Sequence, residues 1–176
     1  VHADAMKADW TEILGTGHWH LVANLPYNIS VPLICDLLDE TPAVVSMLVM
    51  VQREVADRLV AGPGDAAYGL PSVKVNYHAT AALVGKVPPS VFYPRPRVDS
   101  ALVHIKRRLE PAVTADAKML FALVRAGFGQ RRKMLRRSLS AMTTEEGIKA
   151  AGVEPTARAE ELSLQQWAAI ADQVKK

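Results

Sequence analysis

Two short apolar runs with a helical stretch between them constrain the fold of this chain most. The runs are HWHLVANL and AVVSMLVMV, and SVPLICDLLDE lies between them. Runs of this length are typical of strands buried on both faces of a parallel sheet, and parallel strands need a crossover helix. Ser30 is a candidate N-cap for that helix, and Pro32 is tolerated in its first turn. The sequence therefore predicts an α/β fold.

The alternation of helix and strand continues beyond the second run. QREVADRLVAG predicts a helix that ends at Gly62, and SVKVNYHATAALVGKV predicts a helix followed by a strand toward Val87. PPSVFYPRPRVD must be extended or turning, because proline fixes φ and lacks an N–H group. VDSALVHIKRRL alternates as a strand does.

From Thr114 onward the pattern becomes helical. TADAKMLFALVRAGFGQRRKMLRRSLSAM has apolar residues at helical spacing, TTEEGIKAAG opens with a capping signature, and SLQQWAAIADQV predicts a last helix. We therefore predict two domains, an α/β part over residues 1–112 and an all-helical part over residues 113–176.

The cations of this chain are segregated, although its net charge is only +3. Six of them lie between Arg125 and Arg137 with no acid among them. Segregated positive charge favours a polyanionic partner such as a nucleic acid, and solvated basic faces are the plainer alternative.

Other composition features exclude whole classes of site. Cys35 is the single cysteine, which excludes an internal disulfide and a cysteine metal cluster and suits a reducing, cytoplasmic setting. The longest apolar run is too short to span a bilayer. The five histidines show no metal-ligand spacing, so we predict no metal site.

The segment NLPY follows the first predicted strand. In a doubly wound sheet, ligands bind at the carboxyl ends of the strands, which places Asn24 at such an edge. The amide oxygen of Asn24 and the carbonyl of Leu25 can each accept a hydrogen bond from one amine, Pro26 stiffens the turn, and Tyr27 offers a flat face to a base. Taken alone, these four residues fit an ordinary turn better than an amine site.

A set of motifs resembles the KsgA/RsmA family of ribosomal RNA adenine N6-dimethyltransferases. The motifs are NLPYNIS, VQREVADRL, YGLPSV, PPSVFYPRPRVDSALV and FGQRRKMLRRSL, and they run along the whole chain. The resemblance implies the C-terminal part of a Rossmann-like class I methyltransferase sheet, followed by a small helical RNA-binding domain. It also implies dimethylation of two adjacent adenosines near the 3′ end of 16S rRNA, with S-adenosylmethionine as methyl donor.

The resemblance also implies roles for particular residues. Asn24 and the carbonyl of Leu25 are expected to hold the N6 amine of the target adenine, with Tyr27 and Phe92 as the two walls of its pocket. Asp4 and Asn24 are expected to contact the cofactor.

The basic residues form the predicted RNA contacts. On one helix, Arg132 and Arg136 lie four positions apart, as do Lys133 and Arg137, and this predicts a basic face suited to the phosphates of folded RNA. Near the predicted pocket, two more cations can grip phosphates. The full predicted RNA-binding set is Arg95, Arg97, Arg131, Arg132, Lys133, Arg136 and Arg137.

The chain departs from the family pattern in lacking the Gly-rich G-x-G-x-G loop and its acidic partner. We expect these 176 residues alone to bind S-adenosylmethionine weakly or not at all and not to methylate. For the full-length protein we expect a cytoplasmic monomer that acts on the precursor of the 30S ribosomal subunit. Two alternatives remain open, an Erm-type enzyme acting on 23S rRNA and a non-catalytic rRNA-binding assembly factor.

Overall fold

The strand, helix and strand predicted near the start of the chain are present in the computed structural model, which describes residues 2–174. After a short helix, α1 (Trp10–Leu14), come β1 (Trp19–Asn24), α2 (Ser30–Glu40) and β2 (Val44–Gln52). β1 and β2 pair in parallel, as a crossover helix requires. The N-cap prediction for Ser30 is wrong, because Ile29 occupies that position and the Ser30 hydroxyl donates instead to the carbonyl of Tyr27.

Two further strands complete a four-stranded mixed sheet. α3 (Arg53–Val60) follows β2, and β3 (Ala79–Val87) precedes β4 (Ser100–Arg107). The strand order is β1-β2-β4-β3, and β4 runs antiparallel to both of its neighbours. The predicted α/β class is confirmed.

The sheet and its helices form one compact unit, the sheet unit, made of the described residues up to Val60 together with His78–Glu110. α2 buries Ile34 and Leu38, and the central strands bury Val49, Val103 and Ile105 completely. Burial of such side chains is the main favourable term in folding. The ends of β2 and β4 are thus held in place by the buried core of the sheet unit.

Arg107 ties the end of α2 to the start of β2. Its guanidinium donates hydrogen bonds of 2.8–3.1 Å to the carbonyls of Leu37, Leu38, Thr41 and Val44. Burial lowers the pKa of this guanidinium, and the negative charge of Asp39 opposes that shift. Arg107 is therefore part of the scaffold of the sheet unit.

A second compact unit, the helical unit, comprises Ala61–Tyr77 and the described residues from Pro111 onward. Its helices are α5 (Ala117–Gly129), α6 (Leu135–Ser138), α7 (Glu145–Ala150), α8 (Leu164–Val174) and, except for its last residue, α4 (Leu70–His78). Asp116 caps α5 and Thr144 caps α7 through their side-chain oxygens.

The predicted domain boundary placed residues 61–77 with the sheet, but in the structure they group with the helices. The reason is that their aromatic side chains are buried against residues of the helical unit. The Tyr68 hydroxyl donates to the carbonyl of Leu162 at 3.0 Å, and its ring meets Phe128 edge-on at 5.7 Å. Tyr77 packs in the same way on Phe121, with ring centroids 5.2 Å apart.

The single long helix predicted through the basic segment is wrong. α5 ends at Gly129, residues 130–133 form a turn, and α6 is only four residues long. The backbone leaves the helix because it bonds to another segment. The N–H of Leu135 donates to the carbonyl of Ala157 at 2.8 Å, and Met134 forms a β-bridge with Arg158.

Within residues 2–174, no helix is long and apolar enough to cross a membrane. The same residues contain no group of three or more His, Cys, Asp or Glu side chains arranged to hold a metal ion.

Candidate functional site

An open cavity of about 350 Å³ lies at the carboxyl end of β1. Two loops line it, one following β1 and one lying between β3 and β4. All five residues that the sequence singled out as catalytic belong to this lining. The lining residues are Asn24, Leu25, Pro26, Tyr27, Phe92, Tyr93, Pro94 and Pro96.

The first loop is held close to the sheet by its backbone. Asn24 is the last residue of β1 and pairs with Met50, and the next N–H, that of Leu25, donates to the Met50 carbonyl at 3.1 Å. The Leu25 side chain is buried, while the Pro26 carbonyl accepts from the N–H of Ile29 and closes a turn. The loop therefore leaves the sheet in one defined direction.

Two hydrogen-bond acceptors of this loop are available to a ligand. Within the described residues, the exposed Asn24 side chain makes no hydrogen bond, and the Leu25 carbonyl accepts none. Each is an oxygen that can accept from an N–H group. An amino group carries two N–H donors, which equals the number of these acceptors.

The Tyr27 ring is a partly exposed wall of the cavity, with 36% of the residue accessible. Its hydroxyl is 3.1 Å from the hydroxyl of Ser100, and its carbonyl accepts from Ser30 at 3.1 Å. Tyr27 is therefore held at two points, through the hydroxyl at the tip of its ring and through its backbone carbonyl.

The second loop supplies the other aromatic residues. It follows a 3₁₀ turn, Pro89–Val91, and its prolines prevent ladder pairing. Phe92 is half-buried and Tyr93 is fully exposed, so the cavity has aromatic rings in both loops. Sequence reasoning selected only Phe92 from FYPRP and missed Tyr93, Pro94 and Pro96, although the motif itself contains them.

Asp4, the predicted cofactor contact, is not part of this lining. Its Oδ1 accepts from the N–H of Met6 at 3.0 Å, and its backbone carbonyl accepts from Lys7 and Ala8. Its side chain is exposed. The role of Asp4 stays a prediction.

The predicted RNA-binding cations fall into two groups. Arg95 and Arg97 are exposed in the second cavity loop, beside Pro94 and Pro96. The other five lie in the helical unit, where Arg132 and Lys133 occupy the turn and Arg136 and Arg137 lie on α6. The expected four-residue spacing along one helix is therefore absent here.

Two of these five cations already have protein partners. Arg131 pairs with Glu160 at 3.1 Å and donates to the carbonyl of Ala66, and Arg136 lies 3.5 Å from Glu145. Within residues 2–174, the side chains of Arg132, Lys133 and Arg137 form no ion pair, and all three are exposed. These three can bind an external anion without breaking an internal contact.

Comparison with known proteins gives one family. The model of ribosomal RNA adenine dimethylase matches residues 1–176. Ribosomal RNA small subunit methyltransferase A of Streptomyces griseus is 48% identical over 98% of this chain and 60% of its own length. The protein of the same name from Kineococcus radiotolerans is 49% identical over 97% of this chain and 58% of its own length. The chain thus spans about 60% of the length of these relatives.

Solved structures share the fold. A dimethyladenosine transferase from Plasmodium falciparum superposes with a TM-score of 0.78 over 97% of this chain and 70% of its own, at 23% identity. The 23S rRNA methyltransferase ErmE gives a TM-score of 0.70 over 100% of this chain and 71% of its own, also at 23% identity. At this identity the likeness concerns the fold alone.

Proposed function

This chain belongs to the ribosomal RNA adenine dimethylase family, and on that premise we propose that it carries the target-base pocket of an rRNA adenine N6-dimethyltransferase. The substrate is a pair of adjacent adenosines near the 3′ end of 16S rRNA. The protein acts in the cytoplasm, as a monomer, during maturation of the small ribosomal subunit.

The cavity after β1 is the observation that carries this proposal. It places two unpaired acceptors, Asn24 and the Leu25 carbonyl, beside the Tyr27 ring, with Phe92 in the facing loop. Adenine has an amino group on the edge of a flat ring, and this combination matches those features. The base must leave its stack to enter, at a cost of roughly a few kcal/mol.

The acceptors orient the amine. When both N–H bonds of the amino group point at Asn24 and Leu25, the nitrogen lone pair projects away from them. Holding it in one direction replaces a random encounter by a positioned one. Pro26 restricts the backbone next to the Leu25 carbonyl because its ring fixes φ.

S-adenosylmethionine supplies the methyl group of this reaction when it is bound. The residues proposed to hold it are Asp4 and Asn24, which offer a carboxylate and an amide oxygen. Asp4 is exposed, and of its two carboxylate oxygens only Oδ1 accepts a hydrogen bond from within the described residues. The Asp4 carboxylate and the Asn24 amide oxygen can each accept a hydrogen bond from an amino group of the cofactor, so both residues are compatible with binding it.

The helical unit is proposed to bind the RNA through its exposed cations. Arg132, Lys133 and Arg137 are exposed and lack internal ion pairs among the described residues, which supports contacts to phosphate. Arg95 and Arg97 are proposed to grip phosphates beside the cavity. Arg131 and Arg136 contribute less, because binding RNA would compete with their own carboxylate partners.

Replacing Asn24 tests the proposal. Asn24→Ala, introduced into the gene in its own organism, should lower the methyl-transfer rate by about 10²–10³-fold, as loss of one positioned hydrogen-bonding group does elsewhere. Mass spectrometry of 16S rRNA nucleosides measures dimethyladenosine. Asn28→Ala is the matched control, because Asn28 lies in the same loop, is exposed and does not line the cavity.

Normal dimethyladenosine in the Asn24→Ala strain would contradict the amine-orienting role. If the modification instead disappeared from 23S rRNA, the protein would be an Erm-type enzyme. If the unaltered protein left no dimethyladenosine in either RNA, it would be a non-catalytic assembly factor.

A further inference from the structure

We propose that Ser100 is a positioning residue that fixes the Tyr27 ring in the orientation in which it stacks on the target adenine. This inference rests on the proposed function of the cavity. The two hydroxyls are 3.1 Å apart, and either can donate the hydrogen bond. Ser100 does not line the cavity, so it acts only through Tyr27.

The two partners differ sharply in exposure. Ser100 is 1% exposed, whereas Tyr27 is 36% exposed. A buried hydroxyl needs a hydrogen-bond partner, and Tyr27 is the only one that the described residues give to this side chain. The hydrogen bond thus joins a partly exposed side chain to a buried one.

The backbone of Ser100 is well fixed. It is the first residue of β4 and pairs with Gln52 of β2 and with Val87 of β3, so strands flank it on both sides. The preceding residue, Asp99, accepts from the N–H of Arg53 at 2.9 Å. The Tyr27 hydroxyl is therefore hydrogen-bonded to a residue whose backbone is paired on both sides.

The pairing of Ser100 with Val87 also involves the second wall of the cavity. Val87 is the last residue of β3, and the chain continues from it directly into the loop that carries Phe92. Ser100 thus contacts one wall through its side chain and the root of the other through its backbone. Ser100 therefore links the Tyr27 ring to the strand from which the Phe92 loop continues.

The hydrogen bond matters for binding because a surface tyrosine otherwise samples several rotamers. Only the fraction of molecules with the ring in the stacking orientation binds the base, and apparent affinity falls with that fraction. Without the Ser100 hydroxyl, the Tyr27 hydroxyl can form a hydrogen bond with water instead. The ring is still present, but its orientation is no longer fixed. The expected signature is weaker binding with the bound geometry unchanged.

Binding of hexa-adenylate RNA to the whole chain tests this role. Ser100→Ala and Tyr27→Phe each remove the same hydrogen bond from opposite sides, and each should weaken binding by about two- to tenfold. The double variant should bind no more weakly than either single variant. Ser100→Thr, which keeps the hydroxyl, should bind within about twofold of the unaltered chain.

The ring signals of tyrosine supply a readout that loss of stability would not change. The chain has four tyrosines, so ¹³C-labelled tyrosine rings give few NMR signals, and Tyr27→Ala assigns one of them. The change in the Tyr27 ring shift caused by saturating RNA should be the same in Ser100→Ala as in the unaltered chain. Ser72→Ala, which removes another serine that is 1% exposed, is the matched control and should leave affinity unchanged.

The remaining variant separates failure of this inference from failure of the proposed function. Tyr27→Ala should weaken binding by about tenfold or more, because a stacking ring is lost. If it does so while Ser100→Ala and Tyr27→Phe bind normally, the cavity binds adenine but Ser100 has no positioning role. If Ser100→Ala weakens binding and Tyr27→Phe does not, the positioning role is also wrong. Unchanged binding by Tyr27→Ala would refute the base pocket itself and this inference with it.

Discussion

At the scale of single residues, the chain uses polar side chains for two different purposes. Asn24 leaves its amide unpaired among the described residues, and we interpret it as a group kept for a ligand. Arg107 instead uses its N–H groups within the protein, where they donate four hydrogen bonds to backbone carbonyls. Both side chains are polar, and it is their hydrogen-bond partners that distinguish the two uses.

Replacing Arg107 should destabilise the sheet unit. Arg107→Ala removes four hydrogen bonds to backbone carbonyls, and we expect the free energy of unfolding to fall by about 2–4 kcal/mol. Urea denaturation measures the change. Lys106→Ala is the control, because Lys106 is the preceding cation on β4 and is exposed. A loss no larger than that of the control would show that the four contacts contribute little.

At the scale of elements, the turn over residues 130–133 changes the interpretation of the basic segment. A continuous helix would have placed the cations on a common face. Instead the chain leaves α5, bridges to Arg158 and presents Arg132 and Lys133 on a turn. Such a turn is held at both sides, by Arg131 through Glu160 and by Leu135 through Ala157. The proposed contacts to phosphate therefore require little ordering on binding.

The salt dependence of RNA binding tests the turn. With a folded fragment of 16S rRNA as probe, Arg132→Gln together with Lys133→Gln should reduce the slope of log affinity against log salt by about one unit per lost phosphate contact. Lys118→Gln serves as the control, because Lys118 is an exposed cation of the same unit outside the basic segment. An unchanged slope in the double variant would remove the turn from the RNA interface.

At the scale of the whole molecule, the helical unit is built from two separate stretches of the chain. Tyr68, Val73 and Tyr77 come from the first stretch and belong to the same core as Leu120 and Trp167. The unit therefore depends on residues that precede β3 and β4 in the sequence. A cut at the boundary predicted from the sequence would divide its core.

Residues 113–176 alone should consequently lack a fixed core. We expect helical far-ultraviolet circular dichroism without a cooperative thermal transition, since the apolar face that packs on Tyr68 and Tyr77 would be open. The whole chain under the same conditions is the reference and should unfold cooperatively. A sharp transition with dispersed methyl signals for residues 113–176 would contradict this expectation.

Local patterns predicted the elements well, and distant contacts explain where they did not. Apolar spacing predicted β1, α2 and β2. It therefore also predicted the position of the loop that carries Asn24 and Tyr27, between β1 and α2. The end of α5 depends on hydrogen bonds to residues 155–158, more than twenty positions away. Ser100 and Tyr27 are separated by 73 positions, so no local signal in either segment predicts their contact.

Under the proposed function, the two unpaired oxygens at the end of β1 would also determine which bases the cavity rejects. The Asn24 amide can turn its NH₂ group toward a keto oxygen, but the Leu25 carbonyl can only accept. A deaminated base such as hypoxanthine would place its 6-keto oxygen against the Leu25 carbonyl oxygen, with no hydrogen between these two atoms. A site that recognises a substrate N–H group discriminates strongly against an analogue that lacks it. The cavity would thus act as a check on the chemical integrity of the base, independent of the RNA sequence around it.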